Sequence, residues 1–349
     1  MKRELRIGSY VINDDSDCFV IAEIGHNHQG DVQKCKEIFK SAKECGVHAV
    51  KLQKRNNKYL YTTELYNKPY ENENSYGPTY GAHREALEFN KEQYSELKKY
   101  AIDLGLIFFA TAFDEPSADF LSDLDIPAYK IASGDLRSTP FLQYVAKIGK
   151  PMIVSTGGAT IEDVKRAYHA IMPINPQLCF LQCTASYPVD FSKLDLNVIK
   201  TYRELFPELV IGLSDHDNGI AMAPVAYILG ARVIEKHFTL NHAWKGTDHA
   251  FSLEPIGMKK LVRDLMRTKV AVGDGVKRIY PEEQQPIIKM SKKMVTARPI
   301  PAGHCLTKAD IAFKSPGDGI PLYEIDKILG KTATVALSSE QPLRWEILK

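Results

Sequence analysis

Hydrophobic and polar positions alternate along the first two-thirds of the chain with a regular beat. Short β-rich runs that end in polar residues occur at 19–25 (FVIAEIG), 49–53 (AVKLQ), 107–113 (IFFATAF) and 128–133 (AYKIAS). They continue at 152–156 (MIVST), 179–184 (CFLQCT), 210–215 (VIGLSD) and 232–238 (RVIEKHF). Between them, apolar residues recur at three- and four-residue spacing, as in Val32, Cys35, Ile38, Phe39 and Ala42, which predicts amphipathic helices. Thr160-Ile161-Glu162-Asp163 supplies a helix start, and glycines at 46, 105, 149 and 230 mark helix ends. Eight strand-then-helix units that end near Gly273 match the count and size of a (β/α)8 TIM barrel, an α/β fold. A doubly wound open sheet would carry a Gly-rich first turn, but the first run leads into His26-Asn27-His28-Gln29-Gly30 instead.

Two stretches break the beat. Residues 54–88 are rich in Tyr, Asn, Lys and Glu and follow the second strand, so a barrel places them on its strand C-terminal face. Residues 274–290 read as a linker, with Pro281 and Pro286 interrupting any long helix. From Ser291 to the end, short alternating segments and turn signals predict a small β-rich domain. The predicted organisation is therefore a barrel over 1–273, a linker over 274–290 and a small domain over 291–349.

Composition narrows the function classes. Of 349 residues, 45 are Lys or Arg and 43 Asp or Glu, a net charge of +2 that argues against a nucleic-acid-coating protein. No apolar stretch approaches the roughly 18–20 residues of a membrane span, and Met1–Arg6 lacks the apolar core of a secretion leader. A soluble cytoplasmic protein is expected. The six cysteines include no CxxC pair, so reduced thiols are expected rather than a zinc or redox site.

Almost every predicted strand ends in polar side chains that a barrel core would not need. They are Glu23, then Lys51 and Gln53, Thr111, Lys130 and Ser133, Ser155, Thr184 and Tyr187, then Ser214, Asp215 and His216, and finally Glu235 and His237. Lone buried charge is costly, so a whole ring of such ends points to a site. Lys51 and Lys130, with the hydroxyls of Thr111, Ser133, Ser155 and Ser214, suit a phosphate or carboxylate. His216 and His237 sit at matching depth on neighbouring strands and could share a divalent metal. Glu23 and Asp135 are candidates for moving protons. His48, His169, His242 and His304 are expected to be surface or packing residues, with His26 and His28 between the two classes.

Several strings resemble the sialic acid synthase family. They include Ala22-Glu23-Ile24-Gly25-His26-Asn27-His28-Gln29-Gly30, Ile131-Ala132-Ser133-Gly134-Asp135 and Cys183-Thr184-Ala185-Ser186-Tyr187-Pro188. Gly212-Leu213-Ser214-Asp215-His216, Glu235-Lys236-His237-Phe238-Thr239 and Lys245-Gly246-Thr247-Asp248-His249 continue the series in order. The tail resembles that family's antifreeze-like (SAF) domain. The resemblance implies condensation of phosphoenolpyruvate with the open-chain aldehyde of N-acetylmannosamine, its 6-phosphate or a related sugar, with release of phosphate. By the same resemblance, Lys51, Thr111, Lys130, Ser133, Ser155 and Ser214 hold phosphoenolpyruvate. Gln53, Tyr187, Asp135 and Asp248 contact the sugar, Glu23 handles a proton, and His216 with His237 binds manganese or magnesium. A homodimer with swapped small domains is also implied.

Two positions depart from the bacterial members that use the free sugar. Ala185 stands where those have Asn, and Lys314-Ser315-Pro316-Gly317 lacks their Arg before Pro-Gly. Residues 75–84 (SYGPTYGAHR) and 244–249 (WKGTDH) are instead similar to the animal-type enzymes that take a 6-phosphate sugar, which makes Arg84 and Lys245 candidate phosphate contacts. Rival readings are a Schiff-base aldolase using Lys51, Lys130 or Lys236, a related legionaminate or deaminated-sialate synthase, and a glycan- or ice-binding protein with a vestigial barrel.

Overall fold

The computed structural model describes residues 3–349 of the chain. It divides into two compact units, Met1–Gly273 and Asp274–Lys349.

The first unit opens with an antiparallel hairpin that the hydrophobic pattern did not predict, β1 (Glu4–Ile7) and β2 (Tyr10–Asn13). Gly8 leads its two-residue turn at φ +57°, a conformation costly for any residue with a side chain. Leu5, Ile7 and Ile12 are buried in the main core. The Arg6 amide donates to Gln177 Oε1 at 3.0 Å, and Gly8 packs on Ile107. Both of these partners stand at strand beginnings, so the hairpin covers the N-terminal end of the barrel.

Eight parallel strands close that barrel. They are β3 (Phe19–Gly25), β4 (Ala49–Lys54), β5 (Ile107–Ala112), β6 (Tyr129–Ile131), β7 (Met152–Ser155), β8 (Leu178–Cys183), β9 (Val210–Asp215) and β10 (Val233–His237), with β10 pairing back onto β3. β6 is shorter than its sequence run because Ser133–Asp135 turns into a 3-10 helix. The strands read as nearly continuous apolar runs because both faces are covered, one by the barrel interior and one by helices. The surrounding helices begin with α1 (Val32–Cys45), whose Cys35, Ile38, Phe39, Ala42 and Cys45 are buried at helical spacing. Asp31 caps it by accepting from the amides of Gln33 and Lys34, at 2.8 and 3.0 Å. The long excursion after β4 holds three short helices, α2 (Asn57–Leu60), α3 (Thr63–Asn67) and α4 (Tyr80–Glu85), on the strand C-terminal side. The outer ring continues through α5 (Lys91–Asp103), α6 (Glu115–Asp123), α7 (Thr139–Lys147), α8 (Ile161–Ile171), α9 (Val198–Leu205), α10 (Met222–Ile228) and α11 (Pro255–Val272).

The second unit begins with a short helix, α12 (Gln284–Met290), with Pro286 within its first turn. Strands β11 (Lys293–Thr296) and β12 (Ile311–Lys314) then pair antiparallel over a separate core that includes Met294, Ile300, Leu306, Ile328 and Leu343. The fully buried Asp310 organises this unit, accepting from the Thr307 amide and from His304 Nε2, both at 2.9 Å, and from the Arg298 guanidinium at 2.7 Å. These bonds, the one from His304 foremost, hold its carboxyl well below the usual range. No helix among the described residues is long and apolar enough to cross a membrane. Of the cysteines, five are buried and Cys305 is exposed, all six as free thiols.

Candidate active site

Every barrel strand sends a side chain into one cavity of about 540 Å³ at the strand C-terminal ends. The contributors are Glu23 from β3, Lys51 and Gln53 from β4, Thr111 from β5, Lys130 from β6, Ser155 from β7, Cys183 from β8, Ser214 from β9, and Glu235 with His237 from β10. Ser133, Tyr187, His216, Asp248 and Arg84 line the same cavity from the loops that follow. Side chains alternate along a strand, so Lys51 and Gln53 face inward while Val50 and Leu52 pack in the core.

At the floor, two ammonium groups share two carboxylates. Lys51 Nζ lies 2.6 Å from Glu23 Oε2, 2.7 Å from Thr111 Oγ1 and 3.8 Å from Glu235 Oε1. Lys130 Nζ lies 2.6 Å from Ser155 Oγ and 3.7 Å from the same Glu235 oxygen. Burial pushes the Lys130 ammonium down, against the pull of Glu235. Burial likewise pushes the Glu235 carboxyl up, but Lys130 and Lys51 outweigh it and hold the group below its ordinary range. This mutual pairing is what makes four buried charges tolerable. Ser133 Oγ accepts from the Gly157 amide at 2.9 Å and stands 3.5 Å from Cys183 Sγ, so Cys183 lines the site as well as packing.

Higher in the cavity, Gln53 Nε2 donates to Glu23 Oε1 at 2.7 Å. Gly25, at φ +53°, leaves room beside them. A Cβ there would meet Asp248 Oδ2 at 3.2 Å, Glu23 Oε1 at 3.3 Å and Gln53 Nε2 at 3.4 Å. Tyr187 lies over the His216 ring, with centroids 4.2 Å apart.

The His216 and His237 rings stand 5.6 Å apart between centroids. His216 Nδ1 sits 2.9 Å from the Thr184 carbonyl, and burial keeps the ring neutral by lowering its pKa to about 3. The proton therefore sits on Nδ1, and Nε2 carries a free lone pair. His237 Nδ1 is buried with no hydrogen-bond partner, and Asp248 Oδ2 lies 3.8 Å from it. One imidazole oriented by a backbone carbonyl and another with an orphaned nitrogen suit a divalent cation that also takes ligands from substrate or water. Among the described residues, no third His, Cys, Asp or Glu joins them in a metal cluster.

Some expected residues fall elsewhere. Asp215 points away from the cavity, where Lys236 Nζ contacts its Oδ2 at 2.9 Å and also the Asp217 carboxylate. Strand alternation requires this, since Ser214 and His216 on either side face inward. For the same reason Lys236 lies off the cavity, between Glu235 and His237. Asp135 sits on the 3-10 turn beyond Ser133 and outside the lining, its carboxyl raised to about 6 by burial. Lys245 also lies outside, its ammonium 4.8 Å above the Tyr76 ring. In the other direction, Arg55 and Phe113 line the cavity without having been predicted to, His26, left between the two classes, joins them, and Glu235 proves central. Glu235 was legible two residues before His237 on one strand face, whereas Arg55 lies just past a strand end, where alternation loses its force.

A closed parallel barrel whose strand ends converge on buried lysines, carboxylates and an imidazole pair has the architecture of a (β/α)8 enzyme. The matches to known proteins narrow that class. Residues 38–277 match the model of the NeuB family and residues 294–349 that of the SAF domain. The chain belongs to the NeuB family, the sialic acid synthase-like proteins. It is 39% identical to the N-acetylneuraminate-9-phosphate synthase of Homo sapiens over 332 residues, 95% of this chain and 92% of the relative. It is 35% identical to the N,N'-diacetyllegionaminic acid synthase of Legionella pneumophila over 336 residues, 94% of each chain. The crystal structure of the N-acetylneuraminic acid (sialic acid) synthetase of Leptospira borgpetersenii, in complex with citrate, superposes with a TM-score of 0.71 at 29% identity. That match covers 82% of this chain and 96% of the other.

Proposed function

We propose that the chain condenses phosphoenolpyruvate with the open-chain aldehyde of an N-acetylated hexosamine, forming a nonulosonic acid and releasing phosphate. The observation that carries this reading is the floor of the cavity, where Lys51 and Lys130 stand beside Thr111 and Ser155. Two ammonium groups and flanking hydroxyls complement the phosphate and carboxylate of phosphoenolpyruvate, with Ser133 and Ser214 completing the ring. On that arrangement, Glu23 and Glu235 are displaced as partners when the anion arrives, which frees Glu23 to take a proton from water attacking C2 of the condensed adduct. Gln53, Tyr187 and Asp248 orient the sugar, and Asp135 acts from behind the lining. His216 and His237 would hold manganese or magnesium, which supplies polarisation of the aldehyde oxygen. The family membership supports a synthase over a Schiff-base aldolase or a binding protein, and so does the engagement of all three candidate lysines in ion pairs.

A cytoplasmic homodimer with exchanged small domains belongs to the same reading. It is supported by the free thiols and by the exposed Ile256, Met266 and Val270 on α11.

The test is phosphate release from phosphoenolpyruvate with manganese and a panel of acceptors, namely N-acetylmannosamine, its 6-phosphate, mannose 6-phosphate and a di-N-acetylated 6-deoxy sugar, each repeated with EDTA. Metal-dependent release with at least one acceptor is expected. Release with none, or trapping of pyruvate on the chain by borohydride, overturns the reading.

A further inference from the structure

The ladder that joins the last two barrel strands stops short of the imidazole pair. β9 pairs with β10 as far as Asp215 opposite Lys236, and with β8 only as far as Ser214 opposite Cys183, so His216 lies beyond both. His237 is held differently. It pairs with Glu23 of β3, its carbonyl accepts from the Leu253 amide at 2.7 Å, and the Phe238 amide donates to the Glu23 carbonyl at 2.8 Å. What ties the unpaired end of β9 to β10 is a side chain turned away from the cavity. Lys236 Nζ donates to Asp215 Oδ2 at 2.9 Å, to the Asp217 carbonyl at 2.7 Å and to the Asp217 carboxylate, so it grips the residues on both sides of His216. All three N–H donors of the ammonium are thereby used. The Asp217 amide closes the loop by donating to Asp215 Oδ1 at 3.1 Å. Lys236 is also the chain neighbour of His237, so one buried cation spans the two segments that carry the imidazoles.

Cohesion alone is a poor reason for such a group. Three charges that are almost fully buried cost desolvation, and apolar side chains of similar volume often hold a seam at least as well. The arrangement is also unbalanced, since two carboxylates face one ammonium and Asp217 Oδ2 has no partner among the described residues. What the cluster supplies that apolar packing does not is direction, because each hydrogen bond fixes an angle as well as a distance. With Asp215 and Asp217 fixed, the backbone of His216 has little freedom, and the bond from its Nδ1 to the Thr184 carbonyl at 2.9 Å then sets the ring. We infer that Lys236 is a positioning residue for the imidazole pair, holding His216 at its 5.6 Å ring separation from His237 and so setting the affinity of the pair for a divalent cation. The inference rests on the metal reading of His216 and His237 given above.

The sign of one measurement separates positioning from its rivals. On charge alone, removing the ammonium makes the surroundings of His216 more negative and tightens manganese binding. A role in stability alone leaves the affinity of the folded protein where it was. Positioning weakens it, by ~10–100-fold, as for other outer partners of a metal ligand. Manganese titration followed by electron paramagnetic resonance reads this on full-length Lys236→Met, kept well below its Tm, with His216→Gln titrated alongside. If Lys236→Met does not fold, Lys236→Gln, which keeps a donor for the Asp217 carbonyl, carries the test, and its affinity is likewise expected below the parent's. Parent-like or tighter binding in the folded Lys236 variant, with binding weakened in His216→Gln, overturns the inference alone. Parent-like binding in His216→Gln overturns the metal reading and the inference with it.

Discussion

The Lys51 ammonium and the Glu23 carboxylate meet at 2.6 Å with both side chains only 2% exposed, joining the two-lysine floor of the cavity to its candidate proton carrier. Glu23→Gln keeps the size and an acceptor for Lys51 but removes the base. Its kcat is expected to fall ~10²–10⁴-fold, the usual worth of a general base, with KM for phosphoenolpyruvate changed far less. Steady-state phosphate release checks this, and a kcat within threefold of the parent would remove Glu23 from the chemistry.

Lys236 is a structural cation. It serves the carboxylates of Asp215 and Asp217 on either side of His216, and all three charged groups are buried. Lys236→Met strands two carboxylates away from water, so unfolding free energy in urea should drop by about 3–5 kcal/mol. A loss under 1 kcal/mol, within the range of a surface pair, would mean that water reaches the cluster.

His249 is fully buried, 2.7 Å from the Thr239 hydroxyl, and burial lowers its pKa to about 4. Unfolded, it titrates near its ordinary value of about 6.5. Between those values the unfolded chain binds the extra proton, so the folded state loses up to about 1.4 kcal/mol per pH unit as pH falls through this window. Replacement by the non-titrating Gln should therefore make the decline in Tm from pH 7 to pH 5 shallower than in the parent. Parallel Tm curves would show that His249 titrates alike in both states.

His216 and His237 are expected to set the metal affinity. Manganese binding followed by electron paramagnetic resonance should weaken at least ~10–100-fold in His216→Gln and in His237→Gln, since even outer partners of a metal ligand are worth that much. Unaltered binding in both variants would place the cation elsewhere in the cavity.

How much of this was legible in the sequence depended on burial and period. The barrel strands stood out because parallel strands covered on both faces are written as apolar runs. The β1–β2 hairpin was not legible, because strands of four residues, with Leu5 and Ile7 buried in one and Ile12 in the other, are too short to state a period. Among site residues, those inside strands followed from position, and the misplacement of Asp215 came from setting aside alternation between Ser214 and His216. Arg55 and His26 are different. Each lies just beyond a strand, and what brings Arg84 to the same cavity is a long excursion after β4 whose path no local pattern states.

The inward side chains of β4 act as a ruler. On the proposed reading its inner mark, Lys51, serves the phosphoenolpyruvate end of the cavity and its outer mark, Gln53, the sugar end. Separating the two along one rigid strand lets the outer mark change in evolution without disturbing the inner one, so such a scaffold can exchange the sugar it accepts while keeping its reaction. A single-residue insertion just ahead of Val50 would have the opposite effect, turning Val50 and Leu52 into the cavity and erasing both marks at once.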